Sequence, residues 1–182
     1  METSSTTEEL DSCKYLYLDS ISEPESNSLR LVLSEGIVSD HTESLVVGDT
    51  TIPDVRPIEV TDASRHFEVV WNSYISFAVR NESYCSWDKE EDWTGNSFRV
   101  YSKSKFLDFV ASGTFASSDY PGPFVHYEII CSDHIIDVAS EHPPTVHRVG
   151  GLTIRSSRTC FATPTTWQEK LAMLLAPLRK SA

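Results

Sequence analysis

Two carboxylates and a histidine fall within two apolar runs, residues 124–131 and 134–139, that flank Ser132-Asp133. A two-residue turn there predicts a hairpin with Glu128 directly opposite Asp137 and His126 nearby on the same face. Like charges at opposed positions destabilise a sheet unless something compensates them. The pattern is therefore typical of a divalent metal held by two carboxylates and an imidazole, or of an acid pair with one raised pKa. The alternative is a pair that is solvated or neutralised by a cation such as Arg80 or Arg148.

A dense polar run, residues 80–84, follows an apolar strand in the middle of the chain. We interpret it either as pocket lining or as the solvated end of that strand. Arg80 and Glu82 therefore join the hairpin residues as candidate binding residues, giving the set His126, Glu128, Asp137, Arg80 and Glu82. No metal ligand set or cofactor is assigned, because no recognised ligand spacing is present.

Three basic residues, Arg99, Lys103 and Lys105, gather at the start of a predicted helix over residues 104–111. Unpaired backbone N–H groups at a helix N-terminus favour anions, so this is a candidate anion site. Against it, no glycine-rich loop precedes the helix, and the bases can simply balance acidic neighbours. One such group of acids lies in residues 87–96, which we interpret as a surface loop with Trp87 and Trp93 as core or interface residues.

The elements that position these residues are mostly strands. Apolar residues at odd positions over 66–80 favour a single long, kinked strand, and residues 14–18 and 29–33 predict a first hairpin. The predicted helix has Ser102 or Ser104 as its N-cap and ends near Gly113. We expect an α+β fold with a mainly antiparallel sheet of about seven to nine strands, barrel-like or sandwich-like, with one packed helix and a C-terminal amphipathic helix.

Composition divides the 182 residues into three parts. Residues 1–13 are polar and acidic and predict a disordered leader, and residues 14–150 predict a single β-rich domain. Residues 151–182 form a basic tail with a short helix, which begins at a capping box formed by Thr166 and Glu169. That helix either docks on the acidic body or binds another chain.

Fifteen basic against 27 acidic residues give a formal charge of −12, which disfavours nucleic acids and anionic membranes as partners and favours a basic protein. We expect no secretion signal and no spanning segment, and we expect four reduced cysteines in a cytoplasmic protein. No nucleophile or nucleotide motif is present, so we expect no cofactor and favour binding over catalysis. The first hypothesis is a protein-interaction module of the inhibitor or immunity type that binds a basic partner. The second is an enzyme or metal-binding protein with its site on the hairpin face of residues 126–147. The sequence does not indicate the oligomeric state.

Overall fold

Short strands make up most of the chain in the computed structural model, which describes residues 3–150. The strands are β1 (Leu16–Ser22), β2 (Leu29–Glu35), β3 (Ile37–Val38), β4 (Glu43–Val47), β5 (Thr50–Val55), β6 (Ile58–Glu59), β7 (His66–Trp71), β8 (Ser76–Asn81), β9 (Asp92–Thr94), β10 (Phe98–Lys103), β11 (Val125–Ile130), β12 (His134–Ser140) and β13 (Thr145–Val149). The helices are α1 (Thr3–Asp11), α2 (Lys105–Gly113) and a single 3-10 turn at Glu82–Tyr84. The fold is thus α+β and mainly antiparallel, as the sequence predicts.

The described residues fall into two units, 3–36 with 60–150, and 37–59. The sequence predicted one domain over 14–150, and the structure sets residues 37–59 apart within that range. This smaller unit holds two antiparallel ribbons, β3 with β6 and β4 with β5. Pro53 lies within β5, which the sequence did not predict as a strand, and a two-stranded ribbon tolerates it because an edge strand needs fewer backbone donors.

In the larger unit, two antiparallel sheets share one hydrophobic core. One has the strand order β1-β2-β7-β13 and the other the order β8-β12-β11-β10-β9. Side chains from both sheets belong to a single buried cluster, among them Phe67, Val69, Trp71, Ile129, Ile136 and Val138. Of the two arrangements predicted, the shared core of two separate sheets corresponds to the sandwich.

The first hairpin is present as the antiparallel pair β1 and β2. The single long strand over 66–80 is wrong, because β7 and β8 belong to different sheets. The chain bends at residues 72–75, where the Ser140 hydroxyl donates to the Ser73 carbonyl (2.8 Å) and the Ile75 amide donates to the Ala139 carbonyl (2.8 Å). These long-range bonds fix the crossover between sheets, and no local pattern reveals them.

The predicted disordered leader is wrong for residues 3–13, because residues 3–11 form α1 and both Leu10 and Cys13 are buried in the core. The Asp11 carboxylate accepts hydrogen bonds from the backbone amides of Asn96 (2.7 Å) and Phe98 (2.9 Å). These contacts cross more than 80 residues of sequence. A count of apolar residues in the segment alone could not find them.

The hairpin of β11 and β12 has the predicted register, with Glu128 paired to Asp137. Helix α2 also forms as predicted, with Ser104 as its N-cap, since the Ser104 hydroxyl accepts from the Leu107 amide (3.1 Å). The predicted tail helix with its Thr166–Glu169 capping box lies outside the described residues. Within residues 3–150, neither helix is long and apolar enough to cross a bilayer.

Candidate binding site

One face of the five-stranded sheet carries most of the predicted site. Antiparallel pairing places Glu128 opposite Asp137 and opposite Arg99, and His126 opposite Tyr101. In β8, Ala78 is the residue opposite Asp137. Side chains alternate between the faces of a strand, so Arg80, two residues further along β8, lies on the same face as Asp137. Helix α2 lies against β11 and β12, its Val110 is fully buried, and its Phe106 contacts His126 on this face.

Arg80 neutralises the opposed carboxylates. Its Nε and Nη2 donate to the two oxygens of Asp137, both at 2.7 Å, and Nη2 also donates to Glu128 Oε2 at 2.8 Å. The two carboxylate side chains are 2% exposed, while that of Arg80 is 43% exposed. Of the two cations considered from the sequence, Arg80 therefore holds the pair, and Arg148 instead contacts Glu9.

Glu128 has two further partners. The Tyr101 hydroxyl donates to Glu128 Oε1 at 2.8 Å, and Arg99 Nη1 lies 3.4 Å from the same oxygen. Two guanidinium groups thus face two carboxylates, and the formal charges balance. We call Arg80, Arg99, His126, Glu128 and Asp137 the buried network.

His126 is held at both ring nitrogens. Its Nε2 lies 3.1 Å from Asp137 Oδ1, and its Nδ1 lies 2.9 Å from the Ser104 hydroxyl. An ionised carboxylate only accepts, so Nε2 carries the proton, and in the neutral ring Nδ1 accepts from Ser104. The ring also stacks on Tyr101, with centroids 4.4 Å apart, and contacts Phe106.

The two carboxyl groups differ in acidity. Burial raises the pKa of Glu128 above its usual range, and the neighbouring Asp137 adds to the effect. Burial also acts to raise the pKa of Asp137, but the hydrogen bonds from His126 and Arg80 outweigh it and hold that pKa below its usual value. Such a split makes Glu128 the better proton donor and Asp137 the better anion.

The network also has the donor set of a metal site. One ligand atom each from His126, Glu128 and Asp137 lies within 4.8 Å of the others. An imidazole with two carboxylates suits several divalent ions. Arg80 already supplies the positive charge there, so a metal ion would have to displace its guanidinium.

A cavity of about 520 Å³ opens above the network, and we call it the network pocket. Arg80, His126, Glu128 and Asp137 all line it. Other lining residues are Asp88, Glu91 and Lys105, together with the aromatic side chains of Tyr84, Trp87, Phe106 and Phe109. Three of these aromatic residues are more than half exposed: Tyr84 at 84%, Phe109 at 59% and Trp87 at 51%.

The chain's own acids satisfy much of the predicted anion site. Glu91 Oε1 accepts from the Lys105 backbone amide at 2.8 Å, and Asp88 Oδ2 pairs with Lys105 Nζ at 2.7 Å. Arg99 lies against the rings of Trp87 and Trp93, 4.4 and 4.8 Å from their centroids, besides its contact with Glu128. Lys103 is exposed on β10 and does not line the network pocket. The three bases thus do not converge on one external anion.

The sequence prediction of the site was incomplete. Glu82 lies in the 3-10 turn after β8 and is not among the residues that line the network pocket. Tyr101 and Ser104 were missed as partners of Glu128 and His126. The register of β10 against β11 would have revealed Tyr101, but its pairing partner is separated by 24 residues that carry α2 and a long loop.

Comparisons with protein-family models, with curated proteins and with solved structures find no match for this chain.

Proposed function

We propose that this chain is a binding protein whose network pocket receives a positively charged group of a basic protein partner. The observation that carries the proposal is the composition of the pocket. Four carboxylates line it against two basic side chains, Arg80 and Lys105, and Arg99, which does not line it, pairs with Glu128, so that one negative charge remains uncompensated with His126 neutral. A cationic group entering the pocket is attracted to this excess.

The aromatic walls support the same ligand class. Ammonium and guanidinium groups bind the faces of tryptophan, tyrosine and phenylalanine rings, and removal from water strengthens the attraction. The chain already uses this chemistry internally, where Arg99 lies against Trp87 and Trp93. The outer aromatic residues, Tyr84, Trp87 and Phe109, are exposed enough to contact a lysine or arginine side chain.

The charge of the whole chain favours a protein partner over a small amine. A formal charge of −12 attracts a basic surface over many side chains and speeds its encounter with the pocket. As part of the proposal, the chain works in the cytoplasm as an inhibitor-like or immunity-like module. The described cysteines, Cys13, Cys85 and Cys131, are free thiols, as a reducing compartment would keep them.

The test is a titration with peptides followed by backbone amide NMR. We expect a lysine- and arginine-rich peptide to shift amide signals around residues 84–91 and 105–109, and a glutamate-rich peptide of equal length to leave them unchanged. Glu91→Gln should weaken binding about 3- to 10-fold, because it removes a pocket charge. The matched control, Glu43→Gln, removes one exposed charge in the 37–59 unit and should change affinity less than about 2-fold.

If the two variants weaken peptide binding equally, the attraction is nonspecific and the network pocket is not the binding site. Absence of shifts with the basic peptide would overturn the ligand class. A thermal melt of each variant shows that the fold is retained.

A divalent metal at His126, Glu128 and Asp137 is the second candidate, favoured by the convergence of their ligand atoms within 4.8 Å. In this alternative the site supports metal binding or metal-dependent catalysis. Ser104 would hold the imidazole through Nδ1, as outer-shell hydrogen bonds do for metal-bound histidines.

Thermal melts with calcium, magnesium, manganese and zinc salts test this candidate. A shift of several degrees that disappears in Asp137→Asn would support it, and Arg80→Gln should enlarge the shift because the competing cation is gone. No shift in the wild-type protein with any of the four ions rejects it.

A further inference from the structure

A second cavity of about 520 Å³ lies in the larger unit, away from the buried network. It is lined by Asn27 and by three loops: residues 72–75 between β7 and β8, residues 114–121 after α2, and residues 141–145 between β12 and β13. The hydrogen bonds from Ser140 to Ser73 and from Ile75 to Ala139 tie the 72–75 loop to the end of β12. These bonds hold one wall of the cavity in place, and ligand pockets are usually largely pre-formed.

Two aromatic rings lie openly at this cavity. Phe115 is 82% exposed and Tyr120 is 63% exposed, and their rings stack with centroids 5.7 Å apart and planes 26° from parallel. Both residues line the cavity. Exposed apolar surface beside a pocket is a mark of a binding site, since it is otherwise unfavourable in water.

The polar lining differs sharply from that of the network pocket. Glu141 is the one Asp, Glu, Lys or Arg among the described lining residues, and His142 lies next to it. The side chains of Asn27, Asn72 and Glu141 make no hydrogen bond within residues 3–150. Amides both donate and accept, so the cavity offers hydrogen-bond donors and acceptors but no basic side chain other than an imidazole.

Four ligand classes can be compared on these grounds. A cation would find one carboxylate, Glu141, beside the imidazole of His142, whereas the network pocket offers four carboxylates. An anion would meet Glu141 without a lysine or arginine to pair with. A purely apolar ligand would remove the unpaired amides and the carboxylate from water without replacing their hydrogen bonds, which is unfavourable. A neutral ligand with an apolar face and many hydroxyl groups meets neither penalty.

We infer that this cavity, which we call the aromatic pocket, binds a neutral saccharide. The C–H face of a sugar ring packs on Phe115 and Tyr120, and its hydroxyl groups bond to Asn72, Glu141 and neighbouring polar side chains. The site is separate from the network pocket and does not depend on the function proposed for it.

Saturation-transfer difference NMR on the full chain is the test, because it detects weak sugar binding. The probes are the methyl glycosides of glucose, galactose, mannose and N-acetylglucosamine and their β-linked disaccharides, with benzoate, indole and tetramethylammonium as anionic, apolar and cationic comparisons. We expect saturation transfer to ring protons of at least one sugar. The same sugar coupled to a carrier peptide is then compared with the free sugar, which distinguishes a free saccharide from a peptide-linked one as the ligand. Binding of either form supports the inference.

Phe115→Ala and Asn72→Ala should each lower the affinity at least about tenfold, the first through the apolar face and the second through a hydroxyl contact. Phe109→Ala is the matched control, since it removes an exposed aromatic residue that lines the other pocket, and binding should be unchanged. Thermal melts confirm that the variants are folded. The inference is overturned if no sugar receives saturation, if Phe115→Ala leaves sugar binding intact, or if only benzoate, indole or tetramethylammonium binds.

Discussion

Removal of the Arg80 charge is the most direct test of the buried network. Arg80→Met keeps much of the aliphatic stem but deletes the guanidinium that bonds both oxygens of Asp137 and one of Glu128. Two carboxylates that are 2% exposed then face each other across the hairpin. Removing one partner of a buried ion pair costs about 3–5 kcal/mol. Since the Arg80 side chain is 43% exposed, solvent screening reduces the expected loss to about 2–4 kcal/mol.

The loss of stability in Arg80→Met should depend on pH. The pKa of Glu128 is raised above its ordinary 4.5 by burial, so its contribution to stability is fully present below pH 4.5 and is lost as the pH rises through the folded-state value. The pKa of Asp137 is lowered from 3.8, so its contribution is present above pH 3.8 and is lost as the pH falls through the folded-state value. Without Arg80 both carboxyl groups hold protons more tightly. The difference in stability between wild type and Arg80→Met should therefore be largest near pH 8 and narrow as the pH falls toward about 4.

Thermal denaturation followed by circular dichroism measures this difference. A loss of about 2–4 kcal/mol lowers Tm by about 5–15 °C in a chain of this size. Arg56→Met is the matched control, because Arg56 pairs with a fully exposed Asp40 and its loss should cost less than about 0.5 kcal/mol. An Arg80→Met protein that melts within a degree of wild type near pH 8, or whose loss of stability stays constant down to about pH 4, would refute the assignment of Arg80 as the neutralising cation.

Three further perturbations test other parts of the larger unit. Leu10→Ala should cost about 2–5 kcal/mol in urea unfolding, because Leu10 is fully buried, whereas a leader without structure would tolerate the change. Ser104→Ala should cost about 1–2 kcal/mol in the same assay, since it removes both the cap of α2 and the partner of His126, and Ser104→Thr should restore most of it. In the native protein, Cys85 should react with a thiol reagent well before Cys13 and Cys131, because the latter two are 1% exposed. Burial also raises the pKa of the Cys13 thiol to about 12, which keeps it unreactive. Labelling of Cys13, Cys85 and Cys131 at the same rate would contradict the buried positions of Cys13 and Cys131.

The sequence was sufficient where one local rule decides the structure. The two-residue turn at Ser132-Asp133 fixed the register of β11 and β12, and with it the opposition of Glu128 and Asp137. The preference of serine for the N-cap left two candidates, Ser102 and Ser104, and the structure has Ser104 at that position. Electrostatics alone required that something compensate the opposed carboxylates, and Arg80 was one of the two cations named among the alternatives.

The sequence was insufficient where distant segments decide. Residues 66–80 keep an alternating pattern through the bend at 72–75, so parity alone could not show that β7 and β8 enter different sheets. In β8 the alternation no longer predicts burial, because Val79 is 43% exposed although Phe67 and Val69 in β7 are fully buried. A period of two identifies a strand, and only the partner strand decides which face is covered.

Both faces of the hairpin of β11 and β12 are buried. This explains why the sequence located the site but did not identify all of its residues. Ile129 and Ile136 face the core shared by the two sheets, while Glu128 and Asp137 face α2 and are as deeply buried. A sheet face that must bury two carboxylates needs cations from neighbouring strands, and here they come from β8 and β10. The same pairing leaves Arg80 at the floor of an open pocket, where its Nη1 has no hydrogen-bond partner among residues 3–150. The groups that stabilise the sheet therefore also set the charge that a ligand meets, and a change of Arg80 that lowers stability should alter affinity in the network pocket as well.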